Sequence, residues 1–176
     1  MGGAVVDQEL DSRDRVSMST QRIVSGRRSV DDCPFCHVNT QIVIEENGLF
    51  LAIYNQSPIV PGHSLVVPKY HVPRLLDMSA DDIPDFFSFA REVTSLLVNV
   101  YDADGFDWII QEGEAAGQTV PHLHLHVIPR LSGDLGSPGS WFEKLTGTRV
   151  AVDSADRRKL SREEMRNEVR FIQSRI

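Results

Sequence analysis

Three histidines alternate with apolar residues in Gln118-Thr119-Val120-Pro121-His122-Leu123-His124-Leu125-His126-Val127-Ile128-Pro129. A strand has a side-chain period of two. A strand over residues 120–128 therefore sets His122, His124 and His126 on one face and Leu123, Leu125 and Val127 on the other. The apolar face needs a core beneath helices, and the imidazole face needs a cleft. With 6 histidines in 176 residues, three at alternating positions are hard to reach by chance. The pattern fits three roles: a polar strand face, a clamp for zinc, copper or nickel, or a catalytic row. Neutral imidazole is a good nucleophile, and an ordinary pKa near 6.5 keeps it neutral at about pH 7. One ring nitrogen can attack while an acceptor holds the proton of the other and fixes the tautomer. Gly113, Gly117, Gln118 and Thr119 precede the row. Small residues let backbone N–H groups approach a phosphate, so this chemistry favours attack at phosphorus.

The remaining pattern supplies the sheet and its helices. Apolar runs over residues 41–46 and 49–54 flank Asn47-Gly48, a hairpin signal. Pro58 and Pro61-Gly62 mark a loop before a strand over residues 63–67. Ser79 is placed to cap a long helix whose face is Ile83, Phe86, Phe87, Ala90, Val93, Leu97 and Val100. The segment 102–105 ends it, and residues 107–111 form a strand. Ser161-Arg162-Glu163-Glu164 is a capping box for a C-terminal helix with Met165, Val169 and Ile172 as its stripe. Short links between strands predict an antiparallel sheet, so the fold class is α+β with about five strands and two helices. Residues 1–30 are polar with little periodicity and are expected to be a flexible tail, followed by one domain over residues 31–176.

The net charge of -7 argues against a general nucleic-acid binder. No apolar run approaches the roughly 18 residues of a membrane span, and no secretory signal is expected. A cytoplasmic location is the expectation. Cys33-Pro34-Phe35-Cys36 leaves open a metal site, a redox pair or free thiols.

The segment His122-Leu123-His124-Leu125-His126-Val127-Ile128 resembles the histidine-triad motif His-φ-His-φ-His-φ-φ, preceded by Gly117-Gln118-Thr119-Val120 as in that family. The stretch Asn55-Gln56-Ser57-Pro58-Ile59-Val60-Pro61-Gly62-His63 is similar to the family's nucleoside-binding segment. The resemblance covers residues 32–145. The run Gln111-Glu112-Gly113-Glu114-Ala115-Ala116-Gly117-Gln118 looks most like the fragile-histidine-triad (Fhit) branch, whose members hydrolyse dinucleoside polyphosphates such as diadenosine triphosphate. It implies His124 as nucleophile through a nucleotidyl-histidine intermediate, His126 polarising the α-phosphate, and His122 in support. Gln118 and Thr119 would meet the phosphate or leaving group, and Gln111 would hold the polyphosphate, with Mg2+ as a companion of the substrate. Asn55 would hold the ribose with His63 beside it. Ile53 and Leu65 are either lining of the base pocket or plain core. The same resemblance implies a half-barrel sheet that pairs in a homodimer of ten strands.

Bacterial and archaeal histidine-triad proteins of this appearance carry a structural zinc. That likeness implies Cys33, Cys36, His71 and His122 as a closed tetrahedral set, with His37 as a less well-spaced competitor. Typical Fhit enzymes lack the cysteines, so the chain departs from its nearest branch there. Other activities fit the same motif: Hint-type phosphoramidase, phosphorolysis or nucleotidyl transfer, and slow nucleotide sensing. Trp141 would close over substrate or anchor its loop, Arg130 would reach a distal phosphate or serve the surface, and Trp108 is expected in the core.

Overall fold

The computed structural model describes residues 30–135 and 157–176. Residues 1–29 of the expected tail, and Trp141 and Phe142, lie outside the described residues. The sheet consists of β1 (Val43–Glu46), β2 (Phe50–Tyr54), β3 (Ser64–Pro68), β4 (Gly105–Ile110) and β5 (Leu125–Arg130). Helix α1 spans Asp82–Tyr101, and α2 spans Arg162–Gln173. The strand order is β1-β2-β3-β5-β4, with every pairing antiparallel. This is the expected α+β architecture, and it places the histidine strand at the interior of the sheet.

Alternation along the strands divides the apolar residues between two faces. Phe50, Ala52, Tyr54, Val66, Leu123, Leu125 and Val127 join the α1 side chains Phe86, Phe89, Ala90, Val93 and Leu97 in the main core. Burying each such side chain contributes roughly 1.5–3 kcal/mol. Ile53, Leu65 and Val67 form a second cluster on the opposite face with Phe35, Val38, Ile42, Val43 and Leu51. The expected stripe of α1 is recovered, with Phe89 and Thr94 added to its buried face. Thr94 tolerates burial because its hydroxyl donates to the Ala90 carbonyl (2.7 Å) and accepts from Trp108 Nε1 (2.7 Å). Trp108 is accordingly anchored on α1 at the sheet rim, 36% exposed, rather than in the core.

Several local expectations are corrected. β5 begins at Leu125, not at residue 120. The approach to it bonds elsewhere: Leu123 N–H donates to the Val72 carbonyl (2.7 Å) and His122 N–H to Val120 (2.8 Å). Ser79 does not cap α1. Its hydroxyl accepts from Asp81 N–H (3.3 Å), and the helix starts at Asp82. A 3-10 turn, Thr40–Ile42, replaces the start of the first expected strand. The β1–β2 hairpin forms as expected, yet Gly48 is not at positive φ. The Asn47 side chain shapes the turn, its Oδ1 accepting from the N–H groups of Leu49 (2.9 Å) and Phe50 (2.8 Å). The capping box of α2 is present in full: Ser161 accepts from Glu164 N–H, and the Glu164 carboxylate accepts from Ser161 N–H.

Candidate functional site

β5 carries His126 between Leu65 of β3 and Ile109 of β4. His122 and His124 lie just before the strand, and all three rings share its non-helical side. His63, His122, His124 and His126 are each no more than 1% exposed. Buried imidazoles need partners, and their partners assign the tautomers. Ile59 N–H donates to His63 Nδ1 (3.1 Å), so the proton of that neutral ring resides on Nε2. His63 Nε2 lies 2.9 Å from His126 Nδ1 and donates to it. The proton of His126 is thereby placed on its Nε2, making that nitrogen a donor. Asn55 sets its amide nitrogen 3.2 Å from His63 Nε2 while its Oδ1 accepts from Ser57 N–H (2.8 Å).

His124 is set the opposite way. Its Nδ1 lies 2.7 Å from the His122 carbonyl oxygen, which can only accept. Nδ1 therefore carries the proton, and Nε2 carries the lone pair. The His124 and His126 rings are 5.0 Å apart between centroids. A ring nitrogen that can act as a nucleophile thus stands beside one that can donate, an arrangement suited to attack on an atom whose oxygens gather negative charge.

His122 belongs to another constellation. Its Nδ1 is 3.3 Å from Cys33 Sγ and 3.6 Å from Cys36 Sγ, and Cys36 Sγ is 3.3 Å from His71 Nδ1. One ligand atom from each of Cys33, Cys36, His71 and His122 falls within 4.8 Å of the others. A tetrahedral ion with ordinary Zn–S and Zn–N bonds needs sulfur–nitrogen separations of about 3.6 Å, so the donor set fits. His122 Nε2 donates to the Pro68 carbonyl (3.0 Å), which fixes the tautomer that frees Nδ1 for a metal. Burial pushes the His122 pKa down to about 4, keeping the ring neutral, and burial with the neighbouring Cys33 pushes the Cys36 thiol up to about 11. These four residues could hold a metal ion, and such an ion would stabilise the thiolates. His37 is not a member.

The glycine loop rests on Gln118. Its Oε1 accepts from Gly113 N–H (2.7 Å), and its Nε2 donates to the Pro73 carbonyl (3.0 Å). Its amide braces the loop instead of reaching out of it. Gly113 (φ 79°) and Gly117 (φ 94°) occupy the left-handed region that favours glycine. Gln111 Nε2 donates to Ala116 (2.5 Å), and its buried Oε1 has no hydrogen-bond partner among the described residues. Thr119 is exposed at the loop's end. Ile53 pairs with Leu65 and Leu65 with His126, so both apolar residues lie in one row with the triad. Arg130 is taken up by Asp107 (2.7 Å) and Asp134 (2.7 Å).

Phe35 is the residue the sequence reading passed over. It sits between the two cysteines, its ring 5.7 Å from His122 and 5.3 Å from His124, and it packs on the second apolar cluster. The only signal was an aromatic residue inside Cys-x-x-Cys.

A family model described as the HIT domain matches residues 37–133. The bis(5'-nucleosyl)-tetraphosphatase (asymmetrical) of Schizosaccharomyces pombe is 44% identical over 97 residues, covering 55% of this chain and 53% of that protein. The bis(5'-adenosyl)-triphosphatase of Dictyostelium discoideum is 41% identical over 86 residues, covering 49% and 58%. The chain thus spans little more than half the length of these curated relatives. A Zn-bound histidine triad family protein from Mycobacterium smegmatis has a similar structure, with a TM-score of 0.59 and 29% identity over 82% of this chain and 94% of that one.

Proposed function

The chain belongs to the HIT domain family, and on that premise we propose that it hydrolyses dinucleoside polyphosphates of the diadenosine tri- or tetraphosphate type at the α-phosphate. The observation that carries this reading is the pair of contacts that orient two adjacent rings, His124 Nδ1 on the His122 carbonyl (2.7 Å) and His126 Nδ1 on His63 Nε2 (2.9 Å), which suit His124 Nε2 to attack and His126 Nε2 to donate. The names of the two similar hydrolases point to the same substrate class.

His124 Nε2 attacks the α-phosphorus, a P–N bond forms, and the P–O bond to the leaving nucleoside oligophosphate breaks. That group departs as an oxyanion, whose charge Mg2+ carried by the substrate would help to neutralise. Water then cleaves the P–N bond, releasing the nucleoside monophosphate and a proton and restoring His124. His126 donates to an α-phosphate oxygen, where negative charge grows in the transition state. Thr119 meets the phosphate or leaving group at the loop mouth, with Gln118 acting from the loop it closes, and Gln111 holds the polyphosphate. Asn55 takes the ribose, with His63 in support, and Ile53 and Leu65 border the base. His122 gives its carbonyl to His124 and its ring to the metal.

The metal is zinc in this reading, in line with the Zn-bound relative from Mycobacterium smegmatis, and its four protein ligands make it structural. Free thiols kept for a metal suit a reducing, cytoplasmic location. No helix among the described residues is long and apolar enough to cross a membrane. The single domain begins near residue 31. Two copies pair along β4, an edge strand where Phe106 is 51% exposed and lies tilted against Trp108, which stacks on Phe87.

The test is product analysis with diadenosine triphosphate. The wild type is expected to release AMP and ADP, and His124→Asn to lose at least about 10³-fold in kcat. Absence of either product from the wild type overturns the proposal. Faster turnover of an AMP-amine would favour the phosphoramidase reading instead.

A further inference from the structure

Away from the triad, α2 and the 3-10 turn leading into β1 enclose a groove of about 330 Å³ lined by Thr40, Gln41, Val43, Arg166, Arg170 and Gln173. Arg162, Arg166 and Arg170 recur at every fourth residue, so they lie along one face of α2. None of the three has an acidic partner among the described residues, where the ion pairs use Lys69, Arg74, Arg130 and Arg158. Arg170 donates only to Asn167 Oδ1 (2.6 Å). Arg166 buries its Nε with no hydrogen-bond partner among the described residues. A guanidinium nitrogen shielded from water and given no acceptor carries a desolvation cost that an anion bound by the same side chain would partly offset.

The groove is also fixed in shape. Gln173 Nε2 donates to the carbonyls of Val43 (3.3 Å) and Ile44 (3.4 Å), tying the end of α2 to the edge of the sheet. Val169 packs into the core below it. In a chain of net charge -7, two uncompensated guanidinium groups beside the amides of Gln41 and Gln173 are a local exception. Arginine forks match phosphate oxygens two at a time, and one helical turn separates the forks by about 6 Å. We infer that this groove is a second anion site, built for an oligophosphate and separate from the triad. Val43 pairs with Ile53, Ile53 with Leu65 and Leu65 with His126. Three strand spacings of nearly 5 Å put the groove about 14 Å from the triad, too far for its ligand to react there.

Inorganic tripolyphosphate is the probe, titrated into the full chain at about 0.15 M salt. Saturable shifts are expected of the Arg166 and Arg170 Nε–H resonances, and of the backbone N–H resonances of Gln41 and Gln173 beside them, which the variants retain. Arg166→Gln with Arg170→Gln should weaken that binding event about tenfold, while AMP release from diadenosine triphosphate stays within about twofold of wild type. If the double variant does not fold, Arg170→Gln alone, at an exposed side chain, serves the same purpose. Arginine resonances that do not saturate, or equal affinity in the variant, overturn the inference. Neither result bears on hydrolysis at His124, whose failure would be seen in product release alone.

Discussion

The His122 carbonyl oxygen stands 2.7 Å from His124 Nδ1, so the backbone of one triad member dictates where the next carries its proton. His126 is controlled instead by a side chain, His63. The two rings owe their opposite tautomers to two independent devices, which can be disturbed separately.

Removing His63 frees His126 to carry its proton on Nδ1, where it faces no substrate. His63→Ala is expected to lower kcat by about 10²-fold, the usual effect of one misdirected transition-state donor, with a smaller change in KM. Steady-state kinetics with diadenosine triphosphate checks this. A larger effect on KM than on kcat would count against the relay.

If Cys33, Cys36, His71 and His122 hold a metal as proposed, its withdrawal should loosen the segment holding Cys33 and Cys36 from the sheet. Metal analysis is expected to find about one zinc per chain, and a strong chelator should lower the thermal midpoint by several degrees. Cys36→Ser should reproduce the chelated behaviour. A metal-free chain whose melting ignores the chelator would refute the assignment.

Gly62 is enclosed. A Cβ there would fall 2.6 Å from Tyr101 Cε2 and 2.7 Å from Pro129 Cγ, and the backbone φ is 84°. Gly62→Ala is expected to cost about 2–3 kcal/mol through overpacking and left-handed strain together. Urea unfolding should show a lower midpoint with an unchanged slope.

Arg130 grips Asp134 and holds its carboxyl below the ordinary value of 3.8. A carboxyl depressed in the folded state contributes stability above its unfolded pKa and loses it as pH falls through the folded one. Asp134→Asn should therefore destabilise the protein at pH 7 by about 1–3 kcal/mol. The gap between variant and wild type should close below about pH 3.8. Denaturation at a series of pH values tests this, and a gap that widens in acid would contradict the pairing.

Periodicity carried much of the fold into the sequence. Alternation around His124 assigned Leu123, Leu125 and Val127 to the core, and Ser161 with Glu164 marked the start of α2. The set Cys33, Cys36, His71 and His122 was legible through the likeness to bacterial and archaeal histidine-triad proteins, since Cys-x-x-Cys alone left its role open. What escaped was decided by distant partners. Leu123 bonds to Val72, and so the strand starts late. Gln118 finds Gly113 and Pro73, contacts with the glycine loop that no local pattern announces. Phe35 acquires its place only when the knuckle folds against the triad.

His122 faces two ways: its ring joins the cysteines, and its carbonyl accepts from the neighbouring His124 ring. Any side-chain replacement there leaves the carbonyl intact, so alanine scanning is blind to half of what the residue does. An ester linkage in place of the amide joining residues 122 and 123 would weaken that acceptor and leave the imidazole untouched. It would also remove the Leu123 N–H bond to Val72, a loss that a control ester weakening the Val72 carbonyl would separate.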